Sequence, residues 1–518
     1  MLRSTFAGFT TAQLGMQASQ KALDISGQNI ANVNTEGYTR QRLDMVSLNT
    51  QNGSFYSSTT ATNVGFGVDI TGVSQIRNPY LDTQYRSQAS RTGASQSAQD
   101  ALDMINRIFD ETGRDAVKTG LSDLGSNLSA LSNPTNVGNQ VFDTTVRSSC
   151  QVLVSYFNQY STSLNEARSE LVSGLENDST EINTLLSEIA TMNETIKNSQ
   201  VLGNTALELI DSRNLKLDEL AAWLPIDVKY STQNFSGGIS TDILNVSFRD
   251  VQGVSHTLID DNRYGSLSIQ DDSTSISFFV TDTKGVKSAD LKDSLAGGSF
   301  ENALKMLNRA GDFSGDETAG LPFYQQYFDA FVNEFATTMN SLNSQTRTVD
   351  NGDGTTSAIT ENHPLFVASG GADAFTASNI RISDDWINGN IRIITASSAD
   401  AGSTANDNVL KMLNALSQKR EFAIDGETFY LGNFQECYTN METAMGIASN
   451  TNSALLENNQ TVLNQIANAR DSVSGVSLDE EGINLLQYQQ AFSASARLMT
   501  TLDEALDKLI NGTGVVGR

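Results

Sequence analysis

Large apolar residues recur every seven positions at both ends of the chain, separated mainly by small and polar residues. Near the N-terminus this interval runs from Leu2 to Ile30, and near the C-terminus it runs from Leu478 to Leu506. A seven-residue repeat keeps one stripe of a helix apolar and is typical of coiled coils. The sequence therefore predicts two helices of about 30 residues, each about 45 Å long, that pair with each other. The stripe residues are Leu2, Phe9, Met16, Leu23, Ile30, Leu478, Leu485, Tyr488, Phe492, Met499, Leu502, Leu506 and Leu509.

The boundaries of these two helices carry their own signals. The first helix is followed by a turn rich in Asn and Gly, which tolerate left-handed backbone conformations. The second helix begins after Ser477, and Glu480 three residues later fits a capping box. The acidic residues 479–481 also place negative charge at the positive end of the helix dipole. The residues of the predicted turn are Asn29, Asn32, Asn34, Gly37 and Tyr38.

Between the two ends, helical periodicity alternates with strand patterns. Residues 39–92 are predicted to be extended or irregular, and residues 226–296 alternate apolar and polar positions as a compact antiparallel β-domain does. Short strands are predicted near 380–382 and 391–394. The longest predicted helix is either continuous or divided by a break near Gly174. Helices are predicted at about 95–131, 138–198, 205–224, 299–309, 322–343, 433–472 and 477–510.

This order of elements predicts an α+β, multidomain fold, with a long helical coiled-coil or bundle rod formed by both termini and β-rich domains inserted in the middle. The predicted units are a terminal coiled coil (1–45 plus 473–518), a helical rod (46–225 plus 298–345 and 401–472), a β-rich outer domain (226–297) and a small β-rich insertion (346–400).

The charge and composition of the chain exclude several classes of partner. Its 518 residues carry a net charge of −27, which argues against nucleic acid and anionic membrane surfaces, because both attract positive charge. There is no apolar run long enough for membrane insertion, and the first residues lack the apolar stretch of a secretory signal peptide. We therefore expect a protein that stays in the cytoplasm or leaves by a route without such a signal. Only five prolines occur, which favours long uninterrupted elements.

The sequence offers little for catalysis or for a cofactor. Two histidines and two cysteines cannot supply a four-ligand zinc site of the usual Cys/His type. His256 lies near Asp260 and Asp261, but an ordinary strand histidine is a better interpretation than a catalytic triad, because sequence adjacency is not triad geometry. The acidic segment 350–354 lacks the spacing of a calcium loop and is predicted to be a hairpin turn. We therefore predict no enzymatic activity, no catalytic or metal site and no cofactor.

The two cysteines, Cys150 and Cys437, lie far apart in the sequence. They are compatible with buried free thiols or with a disulfide, and two cysteines do not reveal the redox compartment.

Several segments resemble a known family. Residues 29–38, Asn-Ile-Ala-Asn-Val-Asn-Thr-Glu-Gly-Tyr, resemble the N-terminal signature of bacterial flagellar rod, hook and hook-associated proteins, with Glu36 where that signature often has proline. Residues 472–481, 485–492 and 494–497 look like the matching C-terminal signature. Internal segments are similar to the hook-associated protein 1 family in particular; these are 207–213, 364–366, 377–382 and 406–410.

The resemblance implies a structural subunit that polymerises at the distal end of the hook and forms the junction between hook and filament. Its implied partners are further copies of itself in a ring-like layer, hook protein, a second junction protein and, before export, a cytoplasmic chaperone on the C-terminal helix. It also implies type III export without a cleaved signal peptide, and an extracellular place at the hook–filament junction. The alternatives are another axial protein (hook, distal rod or flagellin) and a secreted adhesin or enzyme with axial-type ends.

The heptad stripes are then the expected assembly interface. A pair of helices with Ala and Ser along one flank buries little apolar surface, and marginal helices need further partners. We therefore expect both ends to order on assembly. The alternative is that the stripes only build an intramolecular bundle.

Overall fold

A computed structural model describes residues 5–48, 65, 67–111, 115–234, 240–310, 319–350, 355–424 and 426–512. The two ends of the chain form a pair of long helices, α1 and α11, and the remaining helices build the body of the molecule. The helices are α1 (Thr5–Ala31), α2 (Pro79–Glu111), α3 (Ala116–Leu131), α4 (Gln140–Val201), α5 (Leu207–Trp223), α6 (Ser299–Asn308), α7 (Leu321–Leu342), α8 (Asp384–Ile387), α9 (Asp407–Ser417), α10 (Phe434–Ser474) and α11 (Leu478–Gly512).

The strands form small antiparallel sheets instead of one large sheet. Their order is β3-β4-β5-β6 in one four-stranded sheet and two strands each in β1-β2, β7-β8, β9-β10, β11-β12 and β13-β14. The strands are β1 (Gln41–Ser47), β2 (Val68–Gln75), β3 (Ile226–Asn234), β4 (Ser240–Arg249), β5 (Ser255–Asp260), β6 (Arg263–Tyr264), β7 (Ser266–Asp271), β8 (Ile276–Thr281), β9 (Ser344–Asp350), β10 (Thr356–Asn362), β11 (Phe366–Ala368), β12 (Ile380–Ile382), β13 (Arg420–Ile424) and β14 (Glu427–Gly432).

The larger hydrophobic core lies among α2, α3, the first half of α4, α7, α9 and the start of α10. Aromatic rings dominate it: Phe157 of α4 meets Phe328, Phe331 and Phe335 of α7 edge to face, with centroids 5.7–6.0 Å apart. Such pairs contribute about 0.5–1.5 kcal/mol each beyond area burial. The 3.6-residue spacing of the phenylalanines on α7 therefore fixes its rotation against α4.

A second core joins the strands β4, β5, β7 and β8 to the second half of α4 and to α5 and α6. Every second residue is buried in β4 from Leu244 to Phe248 and throughout β8, which is the pattern predicted for residues 226–296. This β-rich region is thus packed on the long helix α4, which is continuous for 62 residues. The chain does not break at Gly174, and of the two predicted possibilities the single long helix is correct.

Two predictions about secondary structure are wrong. Residues 79–92 are predicted to be extended, but they form the start of α2, which begins at Pro79. The sequence pattern does not reveal this helix, because its buried face carries polar and charged side chains such as Arg86 and Gln88 in place of apolar ones. The predicted strand at 391–394 is an extended segment outside any sheet. The N–H of Ile393 donates to Asp143 Oδ1 (2.9 Å) and that of Ile394 donates to Asn343 Oδ1 (2.7 Å), so side chains take the place of a partner strand.

The hairpin β13–β14 was not predicted, although residues 425–426, Asp-Gly, are a hairpin-turn signal. The sequence analysis assigns residues 401–472 to the helical rod and predicts no strand among them. The hairpin turn predicted at 350–354 agrees with the antiparallel pairing of β9 and β10 on either side of it; residues 351–354 lie outside the described part of the chain.

The two cysteines are buried, free thiols. Burial raises the pKa of Cys437 to about 12, and burial followed by the charge of Asp143 raises that of Cys150. Cys437 contacts the hydroxyl of Tyr327 at 3.6 Å. Both residues therefore act as small core side chains, which is one of the two predicted possibilities.

Asp178 in the middle of α4 provides a test of how the second core responds to pH. Burial, with a smaller effect from Glu181, raises its pKa from 3.8 to about 6. A raised carboxyl pKa stabilises the fold only while the group is protonated, so this stability is present below pH 4 and is lost as pH rises through about 6. Two pKa units correspond to about 3 kcal/mol, and partial exposure reduces the expected effect to about 1 kcal/mol.

We therefore expect Asp178→Asn to be more stable than the parent by about 1 kcal/mol at about pH 8, with the difference shrinking towards about pH 5. Thermal unfolding across that range measures it. Glu176→Gln removes an exposed carboxylate from the same helix and should leave the pH profile unchanged. Parallel profiles for Asp178→Asn and the parent would contradict the assignment.

Candidate functional site: the paired chain ends

The helices α1 and α11 pack antiparallel in heptad register. A methyl group added to Gly8 would lie 3.0 Å from Leu502 Cδ1, and one added to Gly15 would lie 3.0 Å from Ser495 Oγ. As the position on α1 rises by seven, its partner on α11 falls by seven. The line of closest approach continues past Ala22, where Tyr488 packs.

The centre of this seam is made of small residues. On α1 the buried side chains beyond Gly8 and Gly15 are short or of medium size, whereas Phe9, Met16, Leu23 and Ile30 are only half-buried. Small side chains let the two helix backbones approach closely. The large stripe residues consequently flank the contact with α11 and keep part of their surface exposed. The buried residues of α1 are Ala12, Ala18, Ser19, Ala22, Ile25, Ser26 and Asn29.

The stripe on α11 is even less covered. Leu485, Tyr488, Phe492, Met499, Leu502 and Leu506 are half-buried, and Leu478 and Leu509 are exposed. Glu481 is the one fully buried residue of α11. Leu2 lies outside the described residues. The intramolecular pair therefore accounts for part of the predicted assembly interface and leaves the rest of its apolar surface free.

Buried polar side chains tie the two helices together where α1 ends and α11 begins. We call Asn29, Tyr38, Arg40, Gln41 and Glu481 the terminal polar cluster. Asn29 Nδ2 donates to Gln41 O (3.0 Å) and to Glu481 Oε1 (3.3 Å), while Asn29 Oδ1 accepts from the Tyr38 hydroxyl (2.9 Å) and from Gln41 N (3.0 Å). One amide thus connects four parts of the chain: α1, the turn that follows it at 32–38 (called the signature turn below), β1 and α11.

Glu481 has a charged partner in this cluster. Its side chain is 2% exposed, and Arg40 Nε donates to its Oε1 at 2.7 Å. Burial alone would lower the pKa of Arg40, but its hydrogen bonds to Glu480 and Glu481 raise it. Burial and the nearby carboxylates of Asp211, Glu208 and Glu481 raise the pKa of Tyr38 to about 12. The hydroxyl of Tyr38 is therefore a neutral hydrogen-bond donor at physiological pH.

The turn predicted after α1 is present. Gly37 has φ +76°, a left-handed backbone conformation that would be strained in a residue with a side chain. Asn32 Nδ2 donates to Gln28 O at 2.9 Å, and its Oδ1 accepts from Thr35 Oγ1 at 3.1 Å. Asn34 is exposed. Of the five predicted turn residues, Asn29 lies within α1 and not in the turn. The structure brings Asn29 and Tyr38 into the terminal polar cluster.

The predicted capping box at the start of α11 is only half formed. Ser477 Oγ accepts from Glu480 N at 3.5 Å, but the Glu480 carboxylate turns away and accepts from Arg40 Nη1 at 2.6 Å. The charge of Arg40 outcompetes the backbone N–H as a partner. A complete capping box occurs instead at α10, between Asn433 and Glu436.

A second layer of ion pairs fixes the terminal polar cluster to the body. Arg470 near the end of α10 pairs with Asp218 of α5 (2.5 Å), and Arg86 of α2 pairs with the same carboxylate (2.8 Å). Thr39 N donates to Asp211 Oδ2 at 3.0 Å. A polar cleft of about 700 Å³ lies beside this region, between the signature turn, α5 and the end of α10. These contacts hold α2, α5, α10 and α11 in place. Arg40, Arg86 and Arg470 each form an ion pair with a carboxylate of this region.

The residues weighed for catalysis are placed elsewhere. His256 stacks on Phe248 with centroids 5.0 Å apart, and its Nε2 lies 3.1 Å from Asp250 Oδ2, so neither Asp260 nor Asp261 is its partner. Asp250 also accepts from the backbone N–H groups of Gln252 and Val254. His256 is therefore an ordinary strand histidine that packs against a neighbouring ring. Among the described residues no group of three or more His, Cys, Asp and Glu is placed to hold a metal ion, and no helix has the length and apolarity to cross a bilayer.

Replacing Asn29 by Asp tests the terminal polar cluster. The change preserves shape but turns a donor into a carboxylate oxygen that faces Glu481, and an uncompensated buried charge costs on the order of 3 kcal/mol. We expect faster amide exchange by mass spectrometry in a peptide covering residues 36–43, because Gln41 O and Glu481 Oε1 lose the Nδ2 donor of Asn29 and the two carboxylates repel each other. Asn34→Asp adds the same charge at an exposed position and should exchange as the parent does. Equal exchange in all three proteins would show that the cluster does not hold the ends.

Comparison with known proteins gives the same assignment for three parts of the chain. Residues 102–357 match the family described as flagellar hook-associated protein FlgK helical domain. Residues 9–39 match the flagella basal body rod protein family, and residues 469–512 match the flagellar basal body rod FlgEFG protein C-terminal family. The last two matches cover α1 with its turn and the start and length of α11.

Similar proteins cover the whole chain. Flagellar hook-associated protein 1 of Bacillus subtilis (strain 168) is 30% identical over 541 aligned residues, spanning 100% of both chains. The protein of that name from Escherichia coli (strain K12) is 23% identical, over 96% of this chain and 98% of its own. The solved flagellar hook junction protein FlgK from Burkholderia pseudomallei is similar in fold, with a TM-score of 0.55 and 14% identity over 76% of this chain and 100% of its own. The chain therefore belongs to the flagellar hook-associated protein 1 family, whose members are structural proteins of the bacterial flagellum.

Proposed function

We propose that this chain polymerises as a layer at the distal end of the hook and forms the junction between hook and filament. The observation that carries the proposal is the α1–α11 pair, which is locked at one end by buried polar groups and leaves its large heptad residues half-covered. Such a surface suits close packing with further copies of the same helices. The names of its relatives, which include a hook junction protein, support the same role.

We propose hook protein, a second junction protein and further copies of this chain as its partners in the flagellum. Before export, a chaperone on the C-terminal helix would cover apolar surface that the monomer exposes. The outer side of α11 supports this, since Ile483 and Leu486 are 56% and 61% exposed. Export through the flagellar type III channel, without a cleaved signal peptide, would place the protein outside the cell at the hook–filament junction. In this proposal the chain has a structural role and no catalytic one.

The half-covered stripes also support the proposal that both ends complete their folding on assembly. Within one chain α11 fully buries one residue, and helices with so little buried apolar surface are marginal. Contacts with neighbouring copies would add the missing burial. The intramolecular pair and the assembly interface are then two sides of the same helices, and the two interpretations of the heptads do not exclude each other.

We further propose that the chain divides as its sequence suggests, into the paired ends (1–45 plus 473–518), a helical rod (46–225, 298–345 and 401–472), a β-rich unit (226–297) and a small insertion (346–400). The small cluster around Ala22, Ile25 and Leu43, separate from the two larger cores, supports the first of these units. Trp386 of the insertion is buried in the larger hydrophobic core, so the insertion packs directly against the rod.

Immunogold electron microscopy of isolated flagella tests the junction role. We expect label at one boundary, between hook and filament, in cells that make the parent protein. Leu23→Asp or Leu485→Asp places a charge in a half-buried apolar stripe, which costs several kcal/mol once neighbours cover it, and should abolish both the label and motility. The β-rich unit of the purified variants should still unfold as in the parent.

Gln487→Asp is the matched control, because it adds the same charge at an exposed position of α11, and it should leave the label in place. Label along the whole filament or along the hook would contradict the junction role and favour another axial protein. Normal motility with Leu485→Asp would contradict the proposed interface.

A further inference from the structure

The helices α2 and α10 also pack antiparallel, through polar contacts spaced along their seam. Asn452 Nδ2 donates to Ser95 O (2.9 Å) and to Gln99 Oε1 (3.1 Å). Asn459 Nδ2 donates to Ser95 Oγ (2.8 Å). Gln88 Nε2 donates to Asn459 O (3.1 Å) and Asn459 Oδ1 (3.2 Å). The two asparagines are seven residues apart, as are Gln88 and Ser95, so the hydrogen bonds follow the heptad repeat of the pair.

The α2 partners in this seam are shielded from water. Gln88 and Ser95 are buried, whereas α10 buries no residue fully beyond Met445. Its side towards α2 carries half-buried leucines, with Leu456 between the two asparagines and Leu463 beyond them. An apolar seam with occasional polar positions is the arrangement that fixes register in coiled coils, because leucines tolerate a slip and hydrogen-bonded amides do not.

A slip of one heptad shows what the asparagines exclude. Moving α10 by seven residues, about 10 Å, would bring Asn459 opposite Leu81 and Met445 opposite Ser95. Gln88 and Ser95 would then keep only part of their hydrogen bonds, and each buried polar group left without a partner costs about 1–3 kcal/mol. The same slip would also draw Met441 and Met445 out of the larger core, so the start of α10 opposes it together with the asparagines.

We propose that Asn452 and Asn459 are positioning residues that set the axial register on α2 of the part of α10 that lies beyond Met445. The register matters because the end of α10 carries the contacts that hold the paired chain ends. Arg470 reaches Asp218, and Ser474 O accepts from Arg40 N at 2.9 Å. A displaced α10 would carry both groups out of reach. This consequence deepens the proposed junction role and rests on it, whereas the register is a property of the single chain.

Distances between spin labels in the soluble protein test the register without any assembly. Labels on Thr83→Cys and Thr451→Cys, both exposed positions, would be separated by about 20 Å along the helix axes. The native thiols are buried, so labelling is confined to the introduced cysteines. We expect one narrow distance distribution in the parent. In the variant Asn452→Leu with Asn459→Leu we expect a broader distance distribution, because the part of α10 beyond Met445 then keeps only apolar contacts with α2.

The matched control is Asn450→Leu with Asn458→Leu, which makes the same substitutions on the exposed side of α10 and should keep the single distance. Alanine replacements of Asn452 and Asn459 remove the hydrogen bonds without adding volume, and they serve if the leucine variant does not fold. A single unchanged distance in the folded Asn452/Asn459 variants would overturn the proposal. Loss of the junction role with an unchanged distance would point to assembly contacts and not to register.

Discussion

The buried carboxylate of Glu481 joins two parts of the chain that are 452 positions apart in sequence, through Asn29 on α1 and through Arg40 after the signature turn. A charge in this position is stable only with its partners in place. The contact therefore requires α1 to end, the chain to turn at Gly37 and α11 to begin at one fixed point. The position of both terminal helices follows from that point.

In both antiparallel helix pairs, α1–α11 and α2–α10, small or polar residues set the register and apolar residues supply the remaining contacts. In the α1–α11 pair, small residues and the terminal polar cluster set the register, and the large apolar residues stay at the flanks. In the α2–α10 pair, asparagines and a buried glutamine do so. Polar groups in both seams specify position at some cost in stability. The apolar surface left at the flanks of α1 and along α11 is what a polymer of such chains needs for contacts between copies.

The sequence predicts the parts of this architecture whose signal is local. The heptads mark both terminal helices, Asn and Gly mark the turn at 32–38, and alternation marks the strands between 226 and 281. It does not show that Gly8 and Gly15 form the contact line, because a small residue carries no periodic apolar signal. The start of α2 is hidden for a related reason. Its buried Arg86 is paired with Asp218, and the pairing is visible only in three dimensions. Likewise, the partner of His256 is Asp250 and not the aspartates nearer the next turn.

Amide hydrogen exchange along both terminal helices of the soluble protein tests the central claim most directly. If the terminal polar cluster fastens the ends and neighbours complete the rest, protection should be greatest in residues 22–43 and 474–488. It should fall steadily towards residue 5 on α1 and towards residue 512 on α11. Uniformly strong protection over both helices would show that the pair needs no neighbours. Absence of protection around Asn29, Arg40 and Glu481 would show that this contact does not hold the two ends together.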